Sequence, residues 1–361
     1  MTGLTERCLG KSGMKSKKTI FNILFLLLVF GLTMYYVFHG EDMEALSEYL
    51  KQSNAWYWLA GTVLVVLFIL SESVIIHYMM RSVGQPTILT HCFLYSFVGF
   101  FFSAITPSAT GGQPAQLYFM KKDKLSMSVS TLILMIVTIT YKAVLVVIGL
   151  VVVIFRPKTI MKYLEPVLGW CYLGVALNVF CVAFMMILVF HPTLAENILL
   201  GLVRIFGKIT HFKKEKKLVL KIESAMERYR SVADYLRKNK RVIVNVFLIT
   251  FVQRVMWFLI TYLIYLSFSL HGVDGFTITT LQGMISVSVD MLPLPGGMGI
   301  SENLFLRIFR PICGKELVLP VMIVSRGISY YTQLIISAVM TGAAYFIITD
   351  SAASQRRWNG D

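Results

Sequence analysis

The sequence predicts an all-α integral membrane protein, with six full spans plus two re-entrant helical hairpins arranged as an inverted repeat. Three observations predict it. Apolar residues make up 56% of the 361 residues, and the mean hydropathy is +0.70. A water-soluble chain of this length would leave large apolar patches exposed. The apolar residues fall in runs of span length. The charges fall between those runs and are unevenly distributed along the chain.

A span needs about 20 apolar residues. Six segments qualify, at 20–38, 56–79, 127–155, 167–190, 242–270 and 317–348, the last long enough to break at Gly327. Two further apolar regions are interrupted. Residues 87–105 run into TPSATGGQPAQ (106–116), and residues 277–292 run into PLPGGMGISE (293–302). Each has a proline and glycine break followed by a second short arm, the pattern of a segment that enters and leaves on one face. Residues 1–19 form a basic tail that leads straight into the first apolar run, with no small-residue cleavage site expected. The only long polar insert is 191–241. Within it Leu218, Ile222, Met226, Tyr229, Val232 and Leu236 recur every three or four residues. That spacing predicts an amphipathic helix with a basic face, lying at the inner leaflet and drawn to anionic lipid. A solvated linker hairpin is its plainer reading.

Charge sets the orientation through the positive-inside rule. The tail carries Arg7, Lys11, Lys15, Lys17 and Lys18; the insert carries thirteen Lys and Arg; the C-terminal tail, 349–361, carries Arg356 and Arg357. All three suit the cytoplasm. The loop 39–55 has Glu41, Asp42, Glu44 and Glu48 against Lys51 and suits the outside. The assignment holds if both broken segments are re-entrant, which also keeps Lys121, Lys122 and Lys124 inside. The net charge of +15 then gathers on one face as an orientation signal, and direct binding of nucleic acid is not expected. The halves 20–155 and 167–348 each read span, span, hairpin, span. The second half starts from the opposite face, a plan common among transporters.

The five cysteines, Cys8, Cys92, Cys171, Cys181 and Cys313, form no CxxC pair and lie mostly in apolar runs. They read as small hydrophobes, and no metal or cofactor is expected. HExxH and GxSxG motifs are absent, and five residues separate Gly201 from Gly207, so the run to Lys208 is not a Walker phosphate loop. The informative residues are the ionisable groups inside apolar segments: Glu72, Lys142, Arg254, Asp290, Glu302 and Arg326. Each costs roughly 2.5–3.5 kcal/mol at a helix centre unless paired or hydrated. Lys142 sits roughly 20 Å from either end of its span, too deep to snorkel. Isolated structural pairs account for any one of them; the set of six points to an internal polar cavity. At the breaks, Gly111, Gly112, Pro295, Gly296, Gly297 and Gly299 allow close approach to a ligand, and Gln113, Gln116, Ser301 and Glu302 occupy the first turns that follow. The half-helices begin there with free amides and a positive dipole end, suited to phosphate. Glycine and proline also serve plain tight packing. The aromatic residues, Tyr330 and Tyr331 among them, read as packing or interfacial groups.

The two breaks, together with SRGISYYTQLIISAVMTG (325–342), resemble the lysylphosphatidylglycerol synthase transmembrane-region family, which includes the membrane half of the bacterial multiple peptide resistance factor. The resemblance covers about 20–348. It implies a flippase-like domain in a bacterial plasma membrane, moving aminoacylated phosphatidylglycerol between leaflets. It implies substrate contacts at Gly111, Gly112, Gln116, Pro295, Gly296, Gly297, Gly299, Glu302 and Arg326. Gln113 and Gln116 stand where many relatives carry charged residues. The chain ends at Asp361, so a chain without the family's cytosolic synthase domain is expected. On this reading phosphate meets Lys142, Arg326 and the glycine amides, and a cationic headgroup meets Glu302, Asp290 or Glu72. The expected partners are an anionic or aminoacylated phospholipid, a separately encoded synthase, and a second copy of the chain. The alternatives are a phosphatidylglycerol lysyltransferase that confers resistance to cationic peptides, an accessory membrane partner of a synthase, and a carrier of polyprenyl-linked sugars.

Overall fold

The computed structural model describes residues 43–358, apart from 86, 192, 195 and 198–214. The expected first span, 20–38, lies outside the described residues. Among the described residues the chain is helical, without strands.

Helix α1 (Met43–Gln52) occupies the acidic loop. Helix α2 (Ala55–Ser82) starts where the Asn54 side chain accepts the Trp56 amide and runs 28 residues. The first hairpin is α3 (Leu89–Ala104), a short turn at Pro107–Ala109, and α4 (Gly112–Lys122). Helix α5 (Met127–Phe155) follows and stops where Arg156 adopts a left-handed conformation before Pro157. Short α6 (Lys158–Leu164) leads through a turn holding Pro166 into α7 (Leu168–Phe190). Helix α8 (Glu215–Lys238) is the predicted amphipathic helix. Helix α9 (Lys240–Ser267) is the next long apolar one.

The second hairpin descends as α10 (Gly275–Val289), capped by Asp274, turns at Pro295–Gly297, and returns as α11 (Ile300–Arg326). Helix α11 is broken at Gly314, which has φ 80 and ψ 168. The returning arm is thus separated from the last span. A widened π turn over Gly327–Thr332 then leads into α12 (Gln333–Trp358). The break expected at Gly327 takes the form of this π turn, and α12 carries the helix past 348 into the expected tail. Among the described residues, five helical stretches are long and apolar enough to cross a membrane. Leu59, Val63, Phe180 and Val339, each about half exposed or more, face outward. Lipid is a suitable solvent for such a surface; water is not.

Packing follows an exchange of the two halves. The second spans, α2 and α9, lie along each other. The last span of each half packs on the other half's hairpin: α5 against α10, and α12 against α3. It also packs on the other half's second span: α5 on α9, and the π turn on α2. The two breaks touch, where Ser108 Oγ donates to Leu292 O at 3.3 Å. Helix α8 buries Met226, Tyr229, Ala233 and Leu236 and packs on α5, α7 and α9. The face that carries these four residues is therefore taken up by protein.

Candidate functional site

Where the two breaks meet, a cavity of 520 Å³ opens in the bundle. Its wall includes Glu72 of α2, Gln113 and Gln116 of α4, Tyr141 and Lys142 of α5, Arg254 and Trp257 of α9, Asp290, Gly296 and Gly297 of the second break, and Arg326 and Tyr330 at the π turn. Ten residues singled out from the sequence converge here: Glu72, Gln113, Gln116, Lys142, Arg254, Asp290, Gly296, Gly297, Ser301 and Arg326. Gly111, Gly112, Pro295, Gly299 and Glu302 do not line it.

The geometry sorts the six buried charges. Lys142 Nζ donates to Asp290 Oδ2 at 2.5 Å, and its neighbour Tyr141 donates to the other oxygen of the same carboxylate. Asp290 closes α10, so this pair pins the start of the second break. Arg326 Nε donates to Glu302 Oε1 at 2.7 Å, and an Arg326 terminal nitrogen donates to Gly296 O at 3.0 Å. Glu302 Oε2 accepts the Gly299 amide at 2.7 Å and the Ser301 hydroxyl at 2.8 Å. The anion at the start of α11 is thus supplied by the chain itself, as in a capping box. Lys142 and Arg326 both hold the second break, one at each end.

The first break is held without an ion pair among the described residues. The Thr106 hydroxyl accepts the Gly111 amide at 2.9 Å. A Cβ on Gly112 would lie 2.6 Å from Gly99 O, so only glycine lets α4 press against α3. Gln113 donates to the Thr138 hydroxyl, and Gln116 Nε2 donates to Glu72 Oε1 at 2.9 Å. Gly296 has φ +57 and sits against the Tyr330 ring, whose hydroxyl donates to Ala104 O at 2.9 Å. Tyr330 thereby ties the last span to both hairpins. That role is hidden in the sequence, where it reads as a packing aromatic. Tyr141 is missed for the same reason; its one signal is adjacency to the deepest lysine.

A description of the lysylphosphatidylglycerol synthase TM region matches residues 21–337. The chain belongs to that family. No curated protein matches it. Membership agrees with the helical, multi-pass build, and both breaks fall within the matched residues.

Proposed function

We propose that this chain is a flippase-like transporter that moves a phospholipid, aminoacylated phosphatidylglycerol in the first instance, between the leaflets of a bacterial plasma membrane. The observation that carries the reading is the cavity itself: five ionisable side chains from both halves line a space of 520 Å³ at the contact between two re-entrant breaks. Sites of that kind, at the repeat interface and beside discontinuous helices, are where transporters hold polar cargo. The volume suits a headgroup, while the acyl chains remain in lipid. Charge asymmetry supports a cytoplasmic position for both termini, which would leave the basic residues of α8 to gather anionic lipid.

A leaflet-resolved assay in proteoliposomes tests the proposal, comparing aminoacyl-phosphatidylglycerol, phosphatidylglycerol and a polyprenyl phosphate. Faster leaflet exchange of the aminoacyl lipid than in protein-free vesicles is the expected result. Exchange at the protein-free rate for all three lipids overturns the proposal. Formation of lysyl-lipid from lysyl-tRNA by this chain alone would establish the lysyltransferase reading in its place.

A further inference from the structure

The six buried charges are not equivalent, and the two left over define the cargo. Lys142 is neutralised by Asp290, and Arg326 by Glu302. Arg254 has no hydrogen bond and no ion pair among the described residues. Its Nε is sealed from solvent without a partner, and the residue lines the cavity. Two aromatic faces hold it: the guanidinium carbon lies 3.6 Å from the Tyr141 ring centre and 4.8 Å from that of Phe68. Stacking of this kind fixes the plane of a guanidinium and leaves its donor edge free for an oxyanion. Glu72 is the complementary case. One oxygen accepts from Gln116, no cation pairs with it among the described residues, and it too lines the cavity.

The two lie close together. Phe68 and Glu72 are four residues apart on α2 and share a face, separated by roughly 6 Å along the axis. Arg254 stacks on the first of them, so it sits about one helical turn from Glu72. The adjacent Gln253 fixes this register by donating to Phe68 O at 2.8 Å. The helices concerned, α2 and α9, are the counterparts in the two halves.

We infer that Arg254 and Glu72 form a two-point headgroup site for phospholipids carrying one phosphodiester and at least one ammonium, with the phosphodiester on Arg254 and an ammonium on Glu72. Lys142 and Arg326 are positioning residues that hold the second break, not phosphate ligands. The inference rests on the reading of the cavity as a headgroup site. A plain phosphatidylglycerol supplies the phosphodiester and leaves Glu72 facing the cavity without a cation. A phosphomonoester brings a second negative charge, and the other described cations of the wall, Lys142 and Arg326, are already paired. Two kinds of lipid share the required chemistry: ethanolamine phospholipids and aminoacyl esters of phosphatidylglycerol.

The test is equilibrium binding to the full chain in a neutral maltoside detergent, read by intrinsic fluorescence, since Trp257 lines the cavity. The probes are dihexanoyl forms of phosphatidylethanolamine, alanyl-phosphatidylglycerol, lysyl-phosphatidylglycerol and phosphatidylglycerol. In the unaltered protein at least one ammonium-bearing probe is expected to bind ten-fold or more tightly than phosphatidylglycerol, and the tightest of the three names the source. Glu72→Gln is expected to erase that preference while retaining phosphodiester binding. Arg254→Gln is expected to weaken every probe ten-fold or more, with partial recovery in Arg254→Lys. Elution profile and melting temperature check that each variant folds; should Arg254→Gln not fold, the lipid preference and its loss in Glu72→Gln carry the test. Equal binding of phosphatidylglycerol and the ammonium-bearing probes, or a preference that survives Glu72→Gln, overturns the two-point site alone. Absence of binding by every probe overturns the headgroup reading of the cavity as well.

Discussion

At the residue scale, the Arg326–Glu302 pair shows how a buried charge serves the backbone. Glu302 receives the Gly299 amide, the Ser301 hydroxyl and Arg326 at once, and its side chain is 6% exposed. Removing one partner leaves the other largely buried and unpaired. Glu302→Gln is expected to cost about 3–5 kcal/mol, with part of the loss recovered when Arg326→Gln is added, because no uncompensated charge then remains. Melting temperatures of the single and double variants in detergent check this. The residue was expected from sequence to touch cargo; the geometry shifts the first effect of its loss to folding. Gly174 is a second residue whose importance is steric. A Cβ there would lie 2.6 Å from the Ser288 Cα, where α7 crosses α10. Asn178 bridges the same crossing by donating to Val287 O at 3.1 Å. Gly174→Val is expected to destabilise by about 1–3 kcal/mol through overpacking, read as a lower melting temperature.

At the element scale, the two hairpins obey different rules. The second is anchored by ion pairs at both ends of its break and by a charged cap at its start. The Asp274 side chain accepts the Thr277 amide at 2.9 Å, and this bond from the backbone holds its carboxyl below its ordinary value of 3.8. A depressed carboxylate contributes stability above its unfolded-state value and loses it as pH falls through the folded one. Asp274→Ala is therefore expected to cost about 1 kcal/mol at neutral pH, and the gap to the unaltered protein should close below 3.8. Melting curves at neutral and acid pH measure it. A gap that persisted in acid would show that the cap acts without its charge. The first hairpin closes at the end away from its break, where Asp123 takes both His91 Nδ1 at 2.7 Å and the Tyr95 hydroxyl, while its break relies on glutamines, a threonine and glycine contacts, with Gln116 donating to the Glu72 carboxylate. The widened π turn that follows Arg326 belongs to this scale as well. It sets Tyr330 against both breaks, a placement that a uniform α-helical register from 315 onward would change.

At the scale of the whole molecule, orientation is decided by charge outside the bundle. With native cysteines replaced, a cysteine at Glu48 is expected to react with an impermeant maleimide from outside the cell. One at Arg237 is expected to react only after the membrane is opened. The reverse pattern would invert the topology and exchange the two faces of the cavity.

The span limits were largely legible in advance because they depend only on apolar run length: 127–155 coincides with α5, and 56–79 and 242–270 differ from α2 and α9 by a few residues at their ends. The breaks were legible because proline and glycine act locally, whatever surrounds them. The site was legible only as a set of costly buried charges, since burial of an ionisable group in lipid is a penalty that composition alone reveals. Which charge meets which was not. Lys142 and Asp290 are 148 residues apart, and nothing local distinguishes Arg254, stacked and unpaired, from Arg326, paired and bonded to backbone.

By itself the sequence determined a multi-pass helical membrane protein, the two interrupted hairpins and the list of six charges, because hydropathy, chain stiffness and desolvation are properties of residues and short segments. Only the tertiary structure decided that the breaks touch, that α8 turns Met226, Tyr229, Ala233 and Leu236 to protein, and that two of three cations are already neutralised. Those outcomes depend on distances between segments far apart in the chain, and Coulomb attraction and hydrogen bonding act through distance in space.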